Sequence, residues 1–178
     1  MTTPTIPDLL AEYDRALTYT ADLHHGLTGE QIAWRADEQA SGIGWHLGHQ
    51  PAVAHFMVRN LTAAEPSIDV ELDALMDSAT PEPDRGALPE LGRLLDYRDA
   101  VADRVRFRMR QIDDGQVGAP TQLRFIAQTL LVAVINHEYQ HSKWIGEVRS
   151  EVHGLDLPPD PTSPWLTTID GYTVIGAA

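Results

Sequence analysis

LRFIAQTLLVAVINHEYQHSKWIGEV, residues 123–148, decides how the chain folds. Within it Leu123, Ala127, Leu130, Val134, His137, His141, Trp144 and Val148 are separated alternately by four and three residues. At 3.6 residues per turn such positions return to one stripe, the seam of a helix packed in a bundle. The spacing predicts a helix over about residues 121–153, with two histidines on the stripe that meets its neighbours.

Three further segments carry the same periodicity. The first spans about residues 7–25, with Ile6, Leu10, Tyr13, Leu17, Ala21 and His24 on one face, and Gly26 stops it. LTGEQIAWRADEQA, residues 27–40, then reads as a turn and a short helical piece leading to Ser41 as an N-cap. The second helix runs over about 42–61, with a bend expected near His49 because Pro51 deletes the backbone hydrogen bond to Leu47. Residues 65–87 are polar and Pro-rich, a long crossover with a single helical turn inside it. The third helix spans about 88–112, with Leu91, Leu94, Leu95, Val101, Val105, Met109 and Ile112 inward. Its basic run RVRFRMR, residues 104–110, reads as a salt-bridging face, and Arg98 as a snorkelling side chain or a partner of Asp96 or Asp99.

The last stretch, GLDLPPDPTSPWLTTIDGYTVIGAA, reads as an irregular tail without an alternating strand pattern. It holds Trp165, Leu166, Ile169, Tyr172, Val174 and Ile175, so it is expected to pack on the bundle or on a second subunit of a homodimer. The expected fold is all-α: a four-helix bundle with a long crossover between its second and third helices. One domain would cover residues 1–178, the bundle at about 6–153 and the packed tail at 154–178.

Composition narrows the function classes. Hydrophobic residues make up 43% and charged residues 22% of the 178, ordinary for a folded soluble protein. With 13 Lys+Arg against 26 Asp+Glu the net charge is -13, which repels phosphate backbones and argues against a nucleic-acid partner. There is no Cys, so a metal would be held by His and carboxylate, and the chain brings no nucleophilic thiol of its own. MTTPTIPDLLAEYDRAL has neither the basic start nor the apolar run of a secretion signal, and no apolar stretch approaches the roughly 18 residues of a membrane helix. A soluble, cytoplasmic protein without a membrane partner is the expectation.

HEYQH, residues 137–141, matches H-E-x-x-H, in which two histidines bind zinc and the glutamate is the general base of a peptidase. The longer form of that signature wants Gly where Trp144 stands, and no sheet is evident to hold an extended peptide. Glu138 lies about 100° round the helix from His137 and reads as a carboxylate on the bundle flank, so the match is coincidental in its glutamate. Two imidazoles one turn apart on a seam nevertheless converge as metal ligation requires. GWHLGHQ, residues 44–50, supplies two candidates for a third ligand: His46 and His49 share a face, and position alone does not choose between them. His55 is rotated about 120° from His49 and reads as structural or exposed. Three His without a fourth protein ligand would leave an open position, the mark of a catalytic site.

LTGEQIAWRADEQASGIGWHLGHQ, the long crossover and INHEYQHSKWIGEVR together resemble the DinB-like metal-dependent four-helix-bundle family. The resemblance runs from the first helix through about residue 150. In that family one His of the second-helix motif and two of H-x-x-x-H bind a divalent metal, which implies His49, His137 and His141 here. WHLGH and HEYQH also resemble the N-terminal domain of the ergothioneine-pathway sulfoxide synthases, though their large C-terminal domain has no counterpart here. Family members include mycothiol- and bacillithiol-dependent S-transferases and a maleylpyruvate isomerase. The resemblance therefore implies an S-transferase or isomerase with Zn, Fe, Ni or Co that activates a small-molecule thiol against an electrophile. His46 would either support a ligand from behind or pack the helices, and Trp144 would either wall the open position or belong simply to the core. The alternative is a non-catalytic metal- or ligand-binding stress protein of the same fold.

Overall fold

The computed structural model describes residues 3–61 and 65–176. Chain entry is set by a capping box, in which the Thr5 hydroxyl takes the Asp8 N–H and the Asp8 carboxylate takes the Thr5 N–H, with Pro7 at the helix start. This opens α1 (Ile6–His24), and Gly26, at φ +78°, turns the chain out of it. A second capping box, Thr28 with Gln31, starts the short α2 (Gly29–Ala33). Then follow α3 (Ile43–Leu61), α4 (Val70–Leu75), α5 (Leu91–Asp113) and α6 (Pro120–Glu147), with α1, α3, α5 and α6 as the long helices of the bundle.

Several local expectations are corrected. Ser41 does not cap α3; its hydroxyl donates to Glu82 at 2.8 Å and accepts from Arg85 at 3.2 Å, while the Gly42 carbonyl takes the first helical N–H groups. A Cβ on Gly42 would stand 2.8 Å from the Trp34 carbonyl oxygen, so the chain can pass only as glycine. The crossover holds α4 and a 3-10 turn at Glu82–Asp84 rather than a single helical turn, and α5 begins three residues later than the periodicity suggests. The last helix is α-helical to Glu147 and continues as a π turn over Val148–Val152. That turn places Arg149 to donate to the Leu23 and His25 carbonyls at the end of α1, at 2.9 and 3.1 Å.

The largest correction concerns the face of α6. Of the stripe, Ala127, Val134 and His141 are buried, but so are Leu131, Ile135, Glu138, Tyr139, Ser142 and Ile145 outside it, while Leu123, Leu130, His137, Trp144 and Val148 are only half-buried. The stripe singled out by spacing is the edge of the buried arc, because the tail covers another side of α6 and the arc is centred between the two. The tail is also not irregular. Leu166–Ile169 (β1) and Tyr172–Ile175 (β2) form an antiparallel hairpin in which Ile169 pairs with Tyr172 and Leu166 with Ile175. Its turn is Asp170-Gly171 with both φ positive, at +51° and +80°, the two-residue geometry that Asp-Gly favours. The hairpin packs on α6, and the Ile175 N–H donates to Asn136 Oδ1 at 2.7 Å.

Glu138 is not on the flank. It is buried and ion-paired with buried Arg98 of α5, which takes neither Asp96 nor Asp99 as partner. Thr20 of α1 donates to Glu138 at 2.7 Å, and Arg98 donates to Gln50 Oε1 of α3 at 3.1 Å. Gln50 in turn donates to the Glu138 carbonyl at 2.9 Å, and Ser142 lies 2.7 Å from the Thr20 hydroxyl. Every long helix thus contributes to one polar cluster inside an apolar core that includes Leu9, Tyr13, Leu94, Val101, Val105 and Leu131. RVRFRMR is a salt-bridging face as read, Arg104 and Arg108 meeting Glu65 and Arg106 meeting Asp14. His55 is structural and buried, its Nδ1 3.3 Å from Asp73 and its Nε2 accepting from Arg104 at 2.9 Å.

Removing one member of the central ion pair strands a charge in the core, which typically costs about 3–5 kcal/mol. Arg98→Met is expected to lower unfolding stability by that amount in urea titrations, and Arg98→Met with Glu138→Leu to recover most of it. Equal losses in the single and double variants would show that the pair is not the stabilising element.

Candidate metal centre

His46 sits against His141 and His49 against His137, with ring centroids 5.0 and 5.2 Å apart, so α3 and α6 run antiparallel past each other at this point. The crossing brings together His49, His137 and His141, each offering one nitrogen, all within 4.8 Å of one another. His49 and His141 are buried and His137 half-buried. Tetrahedral coordination with bonds of 2.0–2.1 Å sets nitrogens about 3.3 Å apart, within reach of this spread by small side-chain adjustment. The donor set is three imidazoles; among the described residues no carboxylate joins them. These three histidines could hold a divalent ion with a coordination position left open.

Hydrogen bonds orient two of the three rings. His49 Nδ1 lies 2.7 Å from the Met76 carbonyl and must donate to it, which leaves Nε2 as the lone pair for a metal. Trp45 stacks on His49 with centroids 4.3 Å apart and planes at 13°, and the Arg85 guanidinium lies 4.0 Å over the Trp45 ring. His46 Nδ1 is 2.8 Å from His141 Nδ1. With that nitrogen engaged, His141 also has Nε2 left for a metal, and then His141 donates and His46 accepts. Of the two histidines that spacing leaves open, His49 joins the triad and His46 stands behind it as support. Trp144 sets its edge against His141 at 4.8 Å and lies 5.6 Å from His46, so it packs against this pair.

Burial holds the rings neutral. It is the first cause of the lowered pKa of His137 and of His46, both to about 4, and it lowers His49 and His141 as well. Neighbouring histidines add to it, since a second positive charge in the cluster would be repelled. Neutral imidazole is the ligand form, so near neutral pH no proton has to be displaced. Glu138, by contrast, is committed to Arg98 and Thr20 in the core and cannot act as the general base of a peptidase. Glu147, downstream of HEYQH, is paired with Lys143 and lines a cavity under the tail.

The chain matches the family model of the DinB superfamily over residues 12–145. The chain belongs to the DinB superfamily. Members of this superfamily often bind metal, and in this DinB protein the matched region contains all three histidines of the triad. No curated protein matches the chain. No described helix is long and apolar enough to cross a membrane.

Sequence reasoning did not find the crossover's part in the site. Met76 and Arg85, which support His49 directly and through Trp45, come from a segment without periodicity. A faint signal lay in Gly44 and Gly48, one turn apart. A Cβ on Gly44 would meet Leu88 Cδ2 at 2.3 Å and one on Gly48 would meet Met76 Sδ at 2.5 Å, so both glycines admit the crossover onto α3.

Two expectations follow from the site. His137→Ala and His141→Ala are each expected to abolish stoichiometric metal uptake in purified protein, measured by elemental analysis, and His46→Asn to weaken it about 10- to 100-fold. Full occupancy in either alanine variant would remove the site. In the metal-free protein, His46 and His137 titrate near pH 4 when folded and near 6.5 when unfolded. Between those values the unfolded chain binds more protons, so stability falls as pH drops through this window. Urea midpoints should therefore fall from pH 7 to about pH 4.5, and less steeply in His137→Gln, which has one such group fewer.

Proposed function

We propose that this DinB protein is a metal-dependent small-molecule enzyme of the thiol S-transferase type, with His49, His137 and His141 as the ligands of one divalent ion. The observation that carries the reading is the convergence of three neutral imidazoles, two of them oriented by hydrogen bonds, with no fourth protein ligand among the described residues. A closed structural site would use four ligands; three and an open position suit chemistry. When bound, a divalent ion there would lower the pKa of a low-molecular-weight thiol so that it meets an electrophile as the thiolate. The protein's part is to fix the geometry. The Met76 carbonyl and the Trp45 face hold the ring of His49, His46 holds that of His141, and burial keeps protons off both rings. The absence of cysteine agrees with this, since the nucleophilic sulfur would come with the substrate.

The test is conjugation of monochlorobimane with a panel of small thiols, mycothiol-type thiols included, by protein loaded in turn with Zn, Fe, Ni or Co. Metal-dependent product above the uncatalysed rate, lost in His49→Ala, is the expected result. No such product with any metal–thiol pair, from protein shown to be loaded, would favour a non-catalytic metal-binding protein.

A further inference from the structure

A cavity of about 390 Å³ opens beside His49, between α3 and the start of the crossover. Ala52, Val53 and Phe56 of α3 and Met76 form an apolar lining, and Phe56 is 65% exposed although it is a large aromatic side chain. The charged groups lining this cavity do not cancel. Arg59 and Asp73 face each other at 3.3 Å, and Asp73 also accepts from Tyr97 and Ser67. Asp77 forms no ion pair among the described residues, one of its oxygens accepting the Ala79 N–H at 2.9 Å. Asp77 and His49 line the same cavity, so the carboxylate stands on the side of the crossover that faces this histidine. Ser78 adds a hydroxyl to the same rim.

An apolar slot that reaches a candidate metal ligand, with one uncompensated carboxylate at its rim, describes a ligand with two ends. We propose that this cavity is the specificity pocket of the site, taking a substrate with an apolar or aromatic body and a cationic amine, Asp77 receiving the amine and Phe56 the body. A carboxylate-bearing ligand of the same shape would meet Asp77 as a like charge. The inference rests on the reading of His49 as part of the substrate-facing centre, but the pocket itself binds whether or not metal is present.

The test uses full-length protein and four probes: benzylamine, benzyl alcohol, benzoate, and 4-(aminomethyl)benzenethiol. Binding of the first three to metal-free protein is followed by Trp fluorescence and by NMR shifts at residues 49–56. Benzylamine is expected to bind about fivefold more tightly than benzyl alcohol, the scale of one part-exposed ion pair, and benzoate more weakly still. Asp77→Asn keeps the oxygen that accepts the Ala79 N–H and is expected to erase the amine preference without changing metal uptake. Phe56→Ala is expected to weaken all three probes together. Equal binding of benzylamine and benzoate, or a preference that survives Asp77→Asn, would overturn the proposal. The thiol probe separates it from the reading on which it rests. In cobalt-loaded protein its thiolate charge-transfer band reports sulfur at the metal, whereas benzylamine binding that persists in His137→Ala reports the pocket alone. Amine selectivity without that band would sink the metal–thiol reading and leave the pocket standing; the band without amine selectivity would do the reverse.

Discussion

The buried ion pair between Arg98 and Glu138 is the constraint around which the bundle is arranged. Two opposite charges removed from water are tolerated only when their remaining hydrogen-bonding capacity is met, and here Thr20 and Gln50 meet it. The geometry tolerates little slippage, since sliding α6 by one turn would unpair a charge in the core and sliding α3 would take Gln50 from Arg98 and from the Glu138 carbonyl. Gln50 and Glu138 each adjoin a histidine of the triad. The contacts that lock the register of α3 against α6 therefore also decide which imidazoles meet: HEYQH carries Glu138 for the core and two histidines for the site, and GHQ carries Gln50 for the core and one histidine for the site.

From this register the character of the centre follows. The polar cluster occupies the middle of the buried arc of α6, and His137 and His141 fall beside it, sheltered enough to stay neutral, while His49 lines space that a ligand can enter. Support comes from unlike sources: a carbonyl of the crossover for His49, a second histidine for His141, and a stacked indole with a guanidinium over it. The crossover is thus part of the site as well as a connection. It approaches α3 closely because Gly44 and Gly48 lack side chains where Leu88 and Met76 must pass.

Much of this was legible in the chain. The four long helices, the long crossover and the two histidines of H-x-x-x-H follow from periodicity, because a bundle helix repeats its apolar positions regardless of what lies opposite. His49 was preferred over His46 only through the family resemblance, and the structure gives the reason: the Met76 carbonyl turns one ring toward the triad, while His46 bonds His141. The hairpin was missed although Asp170-Gly171 between WLTTI and YTVI carried its signal, since a Pro-rich approach hid two strands of four residues. Glu138 was misplaced for a different reason. Angle around a helix gives a direction, but only the packed neighbours say whether that direction is core or water.

By itself, then, the sequence determined the class of fold, the helix that carries two of the imidazoles, and the motif that carries the third. These are local properties, set by spacing along a single helix. The tertiary structure alone decided that Arg98 and Glu138 pair in the core, that the crossover orients His49, and that an acidic, apolar slot lies beside it. Each of these depends on residues dozens of positions apart meeting at hydrogen-bond distance, and no one-dimensional periodicity encodes such a meeting.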